Sequence, residues 1–275
     1  MRDLADAFYS TFGAAVADIH DPCPYVFASA GVDSTALLLA LVEHGREPVV
    51  VSFMLDGRLS RDFSAARRNA RLLGLPFMPV ILPADTATVL ADLRGMIRDG
   101  VRGKANLECT WPVSRAIAAA AADGARTIVT GTGADAFFGL SRDAMVNHRA
   151  TVELLDAWRT ARYLNPNLGQ ADTLRRIAAG LGVVYRTPYT DRRVRDVFTG
   201  TSWDQVNRPR QKEPIRRAFL DAYPDIVVDR AHVNLQLGDS GIAARFAQLL
   251  DDPQVNRAGH RAVNGLYNEL AGQHG

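Results

Sequence analysis

Cysteine is nearly absent: Cys23 and Cys109 are the only two in 275 residues. They stand alone, without a Cys-x-x-Cys pair or histidines at ligand spacing, which argues against a disulfide framework or a zinc site. Neither occupies position 2, so loss of Met1 exposes no cysteine nucleophile. No apolar run is long enough to cross a bilayer, and the Ala-rich cluster at 116–122 is too short. The N-terminus is acidic and mixed, unlike a secretory leader, so a reducing, cytoplasmic compartment is the default expectation. Excess charge is missing too. A net charge of +2 gives no electrostatic case for a nucleic-acid partner. Repeats, low-complexity tracts and Gly/Ser linkers are absent. So is a Walker loop: the one Gly-Lys pair, Gly103-Lys104, is followed by Ala105 rather than Ser or Thr.

What is present is a chain 47% hydrophobic, enough for one large α/β unit or for a core with an appended helical lobe. Leu4, Phe8, Phe12, Val16 and Ile19 recur at helical spacing and predict an amphipathic helix over 3–19. Asp21-Pro22 breaks it. A first strand at 25–28, a helix from Ser34 to about His44 and a buried strand at 49–54 follow. A helix over 61–73 ends at Gly74, and a third strand spans 77–82, with Pro79 arguing for its start or for a sheet edge. A helix over 86–99 leads to a polar loop at 106–111. Pro112 then stands where a first helical residue should, with the helix running on to Ala122. A fourth strand covers 126–130. Strands alternating with helices predict an α/β fold with a doubly wound parallel sheet and ligands at the carboxyl ends of its strands. From 143 the pattern turns helical (144–164, 171–181, 212–222, 242–250). The expected organisation is an α/β core with its N-terminal helix over 1–142, and a mostly helical lobe over 143–275 covering the strand ends. The boundary near Ser141 is soft and allows a single domain.

Two strand-end turns carry the chemistry. The first is Ala28-Ser29-Ala30-Gly31-Val32-Asp33-Ser34-Thr35, which opens the second helix. Small residues free its backbone. Helix N–H groups, the positive end of the helix dipole and two hydroxyls converge there, which suits a phosphate or pyrophosphate. Asp33 fits such a site once Mg²⁺ joins carboxylate to phosphate oxygen. A strand-to-helix turn with an N-cap is the plainer alternative. The second turn, Gly131-Thr132-Gly133-Ala134-Asp135-Ala136-Phe137-Phe138-Gly139, follows the fourth strand, and its glycines allow close approach to a ligand. Together the turns make a symmetric setting for Mg²⁺ and pyrophosphate, with Asp33 and Asp135 as metal ligands.

These motifs resemble the PP-loop ATP pyrophosphatases, and within them the asparagine-synthetase-like branch. That family's Ser-Gly-Gly-x-Asp-Ser-Ser is similar to 29–35, with Ala30 and Thr35 as mild departures. Its Gly-Glu-Gly-x-Asp-Glu-x-Phe-Gly is similar to 131–139. Its lysine ahead of a Leu-Arg pair resembles Lys212-Glu213-Pro214-Ile215-Arg216, and its Arg-x-Pro-Phe-Leu-Asp resembles 186–191. The likeness covers roughly 22–225. It implies an ATP-dependent ligase that adenylates a small carboxylic acid, releases pyrophosphate and passes the acyl group to ammonia or an amine, releasing AMP. It implies that Ser29, Gly31, Ser34 and Thr35 cradle pyrophosphate, that Asp33 and Asp135 hold Mg²⁺, and that Lys212 neutralises charge in the transition state. Backbone at Ala28, at Phe53, Met54 and Leu55, and at Thr130 and Gly131 would hold the adenosine of ATP. Two glutamates of the family are Thr132 and Ala136 here. Thr132 has no basicity of its own at neutral pH, so aspartate as acceptor and ammonia as nucleophile are both put in question. The glutaminase domain of asparagine synthetase is not in this chain, so a separate glutaminase is one source of nitrogen. A homodimer is compatible with the likeness. A non-catalytic ATP-binding subunit and a tRNA-modifying enzyme are the other readings, the latter disfavoured by the missing basic domain and cysteine pair.

Further candidates are Glu108 and Trp111 before the Pro112 helix, and Arg208 and Arg210 as phosphate-facing helpers. Glu153 is a replacement base or a helix-surface acid. His232 and the 236–241 turn form a closing tail or, at Asp239 or Ser240, an N-cap.

Overall fold

The computed structural model describes residues 3–141, 143–165, 170–228 and 240–249. At its centre is a five-stranded, all-parallel sheet in the order β3-β2-β1-β4-β5. The strands are β1 Tyr25–Phe27, β2 Val49–Leu55, β3 Phe77–Leu82, β4 Thr127–Val129 and β5 Val184–Arg186. Tyr25 pairs with Val49 on one side and with Ile128 on the other. Because side chains alternate along a strand, Tyr25, Val51 and Ile128 enter one core while Val26, Val50 and Val129 enter the other. A sheet buried on both faces needs helices on both, and this chain supplies them.

In chain order the helices are α1 Leu4–Ala17, α2 Val32–Glu43, α3 Arg61–Leu72, α4 Thr86–Arg98, α5 Lys104–Ala122 and α6 Asp135–Phe138. The second half adds α7 Val152–Tyr163, α8 Ala171–Gly180, α9 Arg192–Val197, α10 Trp203–Asn207, α11 Glu213–Ile215 and α12 Ile242–Leu249. The first core is filled from α4, α5, α8 and α12, with Leu93, Trp111, Leu174 and Phe246 among its members. The second is an aromatic cluster in which Phe8 and Phe12 of α1 meet Tyr189, Phe198 and Phe219. The Phe12 and Tyr189 rings are 4.4 Å apart, and Phe137 stacks on Phe198 at 4.7 Å. Residues from both sides of position 142 therefore share both cores.

Three expectations change. The mostly helical second half carries a strand not expected there: β5 extends the sheet beside β4 and pairs Val184 with Thr127. The predicted loop at 106–111 is helix, for α5 starts at Lys104 and carries Pro112 inside it. Full burial of Leu107 and Trp111 offsets the hydrogen bond that Pro112 removes. The helices expected over 144–164 and 212–222 are each interrupted: 144–148 and 216–220 are π-helical turns, wider than the α-helix. Pro79 does lie in an edge strand, β3, as its missing donor requires.

Candidate active site

The strand order reverses between β1 and β4, and connections leaving in opposite directions open a crevice at the carboxyl ends there. Both motif turns stand at that point, and they touch. A Cβ on Gly131 would lie 3.4 Å from both Asp33 Cβ and Ser34 N, so glycine is what lets the β4 turn meet the β1 turn.

In the first turn Gly31 precedes α2 in an extended conformation, and no side chain caps the helix. By contrast Asp3, Ser60, Asp85, Thr151 and Ser202 cap α1, α3, α4, α7 and α10. Ser34 is spent on the turn instead. Its Oγ accepts from Ser29 N at 3.1 Å, donates to Gly31 O at 3.2 Å and lies 3.2 Å from Ser29 Oγ. Ser34 and Thr35 are both buried, as is Ala30. The hydroxyls thus hold the turn's shape, while the first turn of α2 keeps the backbone donors and dipole that suit an anion.

The second turn bends at Gly133, with φ of 96°, and starts α6 at Asp135. That four-residue helix is too short to hold itself. Side chains from the second half grip its last carbonyls. Arg159 Nε donates to Phe137 O at 2.9 Å, Asn207 Nδ2 to Phe138 O at 2.8 Å and Trp203 Nε1 to Gly139 O at 3.2 Å.

Lys212 joins the two turns. Its Nζ donates to Asp33 Oδ2 at 2.5 Å and to Asp135 Oδ1 at 2.6 Å, beside the Phe138 ring at 5.6 Å. The residue is only 4% exposed. Burial is the largest single influence on its pKa and lowers it. The charges and hydrogen bonds of Asp33 and Asp135 together outweigh burial, leaving the ammonium above the ordinary lysine value. Lys212 also has a left-handed backbone, φ 59°.

Tyr189, from the segment after β5, donates from its phenol to Asp33 O at 3.0 Å. Burial, with Asp33 and Asp135 adding to it, raises its pKa well above 10.0, so it stays a neutral donor. Thr132 turns into a hydroxyl cluster: Thr130 Oγ1 lies 2.9 Å from Thr132 Oγ1 and 2.8 Å from Tyr185 OH, and Thr132 Oγ1 lies 3.2 Å from Tyr185 OH. Burial raises the Tyr185 pKa, so this cluster offers hydroxyls and no base. Ala28 N and Thr130 N extend the ladders by donating to Val51 O and Arg186 O. Pairing of β2 to β1 ends at Val51, so Phe53, Met54 and Leu55 run on beyond β1 with β3 as their partner strand.

The remaining candidates fall elsewhere. Glu108 is a buried helical acid paired with Lys104 at 2.7 Å, not a solvated loop acid. Trp111 is a core residue whose Nε1 donates to Asp92. Arg210 is held bidentately by Glu213 and Asp221, and exposed Arg208 lies 3.6 Å from Asp204. Glu153 is exposed in the first turn of α7, where a backbone N–H, then Thr151, hold its carboxyl below the ordinary value. Ala136 is buried. Ser240 Oγ accepts from Ile242 N at the start of α12. His232 and 236–239 lie outside the described residues. An open cleft of about 670 Å³ is lined by Arg149, Trp203 and Arg208, among others, and by none of the three site charges.

Asp33 and Asp135 aim carboxylate oxygens at one point from two segments, a hard donor pair of the kind Mg²⁺ takes. Among the described residues no group of three or more His, Cys, Asp and Glu side chains could hold a metal by itself. A cation here would complete its shell with other oxygens, such as phosphate and water. The uncapped α2 terminus beside them fits that partner.

The five-stranded parallel sheet flanked by helices makes this an α/β protein of the doubly wound kind. No protein-family model matches the chain, and no curated protein sequence does. Among solved structures, NMN synthetase from Francisella tularensis aligns with 89% of this chain and 92% of its own, at 11% identity and a TM-score of 0.36. Glutamine-dependent NAD+ synthetase from Acinetobacter baumannii, in complex with ADP, aligns with 61% of this chain at 14% identity and a TM-score of 0.36. The chain spans 35% of that second protein. Matches this loose leave activity open. Among the described residues no helix is long and apolar enough to cross a membrane.

Proposed function

We propose that the chain is an ATP-dependent, AMP-forming amide synthetase of the asparagine-synthetase-like PP-loop branch. Its substrate would be a small carboxylic acid other than aspartate. The observation that supports this best is the meeting of Asp33, Asp135 and Lys212, from three segments, at the switch point of the sheet. In this reading a substrate carboxylate oxygen attacks the α-phosphorus of ATP, and the bond from that phosphorus to the pyrophosphate oxygen breaks. The α2 terminus and the Ser29–Ser34 turn receive the leaving pyrophosphate. Asp33 and Asp135 would hold Mg²⁺, whose contribution would be charge neutralisation on phosphate oxygens. Lys212 is the protein's own cation there, already desolvated, so its interaction with growing phosphate charge is stronger than in water. An amine then attacks the acyl carbon, AMP leaves with the C–O bond, and the amine's extra proton goes to solvent or to the departing AMP.

The hydroxyl cluster of Thr130, Thr132 and Tyr185 supports an acceptor that does not rely on a carboxylate base at the second turn. Ammonia would come from solution or a separate glutaminase, and a cytoplasmic setting with a homodimer is compatible with the reading. The test is pyrophosphate release with Mg²⁺ and ATP across a panel of carboxylic acids and amines. Acid-dependent release with matching AMP supports the proposal. ATP binding without release on any acid would favour an ATP-binding partner subunit.

A further inference from the structure

We propose that Asn207 is the positioning residue that sets Lys212 between Asp33 and Asp135. Asn207 is 3% exposed, and its amide is used at both ends. Nδ2 donates to Phe138 O at 2.8 Å and to Trp203 O at 3.2 Å, while Oδ1 accepts from Lys212 N at 3.3 Å. The partners fix the amide's orientation. A flipped amide would set oxygen against two carbonyls and NH₂ against an N–H. One side chain therefore ties the carboxyl end of α6, which carries Asp135 at its other end, to the backbone of the lysine that pairs with Asp135.

The Lys212 backbone needs such a tie. It is a non-glycine residue in the left-handed region, a conformation that persists only where its surroundings impose it. On its carbonyl side Lys212 O accepts from Ile215 N and Arg216 N at 3.0 and 3.1 Å, starting α11. On its amide side Asn207 is the described partner. Held at both ends, the Cα–Cβ vector points along one direction, and four methylenes carry Nζ onto the two carboxylates. Without Asn207 the loop from α10 to α11 can relax toward a right-handed conformation and swing the side chain away. An asparagine in the last position of α10 and five residues before a lysine has no local sequence signature for this role. The tie appears only once α6 and α10 are packed.

The placement of Lys212 stands without the proposed reaction, whereas its effect on turnover rests on that reading. The test separates the two. Lysines are labelled with ¹³C at Cε, and the Lys212 resonance is identified by its loss in Lys212→Arg. Its chemical shift is then followed without nucleotide in wild type, Asn207→Ala and Asn207→Ser. In folded Asn207→Ala the resonance should move to that of exposed lysines. Circular dichroism and a cooperative melt establish folding. Should alanine fail to fold, serine, too short to reach Phe138 O and Lys212 N together, gives the same reading. A folded variant whose Lys212 resonance is unchanged overturns the proposal, whatever the activity panel shows. With an active substrate pair, Asn207→Ala should lower kcat by about tenfold or more through misalignment, with the KM for ATP changed much less. A residue that only stabilised the fold would lower Tm and leave both the resonance and kcat of the folded protein in place.

Discussion

Arg159 and Lys212 are equally buried, each 4% exposed, yet they are held by different kinds of partner. Arg159 spreads its guanidinium over backbone. Nε donates to Phe137 O, and Nη1 donates to Phe198 O at 2.8 Å and Thr201 O at 2.9 Å, with Asp156 as its one carboxylate at 2.8 Å. Burial lowers its pKa, with Asp156 only partly compensating. Lys212 has two carboxylates on its ammonium, and they raise its pKa despite burial. Main-chain carbonyls at a short helix and in the turn after α9 are neutral acceptors that have nothing better to bind. Carboxylates do, once a divalent cation arrives. Burial alone therefore does not separate a strut from a candidate site cation; the identity of the partners does.

The comparison can be broken most directly at the carboxylates. Asp33→Asn and Asp135→Asn should each abolish pyrophosphate formation while the melt stays cooperative, and wild-type turnover at saturating Mg²⁺ in either variant would remove that aspartate from the site. Next in size is Lys212→Ala. Loss of a preorganised cation should slow adenylation about 10²–10³-fold, with ATP affinity changed much less. Lys212→Arg should rescue little, since a planar fork addresses two carboxylates and phosphate differently. Single-turnover acyl-adenylate formation measures both.

Arg159→Leu should do the reverse. Three carbonyls and Asp156 lose a charged donor, a cost of about 3 kcal/mol in a denaturant titration, while turnover per folded molecule falls far less than in Lys212→Ala. A stability loss under about 0.5 kcal/mol would show that Arg159 is no strut. The smallest effect is in pH. Lys212 has a folded pKa above its unfolded one, so its contribution is complete below the ordinary 10.5 and is lost as pH rises through the higher folded value. The stability gap between wild type and Lys212→Met should therefore narrow above about pH 10.5. A gap constant to pH 11.5 would mean that the ammonium is not what the carboxylates hold.

Much of the site was legible because glycines, hydroxyls and aspartates recur at short spacing right after β-branched runs, where strand-end turns belong. The strands expected at 49–54 and 77–82 and the parallel architecture follow from the alternation of strand and helix patterns. β5 did not. It has three residues, and Val184 is 45% exposed, so it lacks the buried run that marks an inner strand. Glu108 was misplaced because Pro112 was read as a helix start, when the buried stripe of Leu107 and Trp111 shows the helix already under way. Tyr189, Asn207 and Arg159 act through backbone atoms of distant segments; the Tyr189 partner is 156 positions away. Nothing in local periodicity reports a hydrogen bond to a carbonyl that distant.

If Asp33 and Asp135 hold Mg²⁺ as proposed, the ammonium between them makes the site a competition between cations. Lys212 is tethered, so its effective concentration is fixed by the chain and does not fall with dilution. A free divalent ion must displace it, which weakens metal binding when the ion comes alone. A nucleotide alters the balance by offering phosphate oxygens as a new resting place for the displaced ammonium. On the proposed reading, metal and nucleotide are then thermodynamically linked, each raising the other's affinity by the same factor. The tethered cation would act as the site's resident counter-ion, yielding its place only when both arrive together.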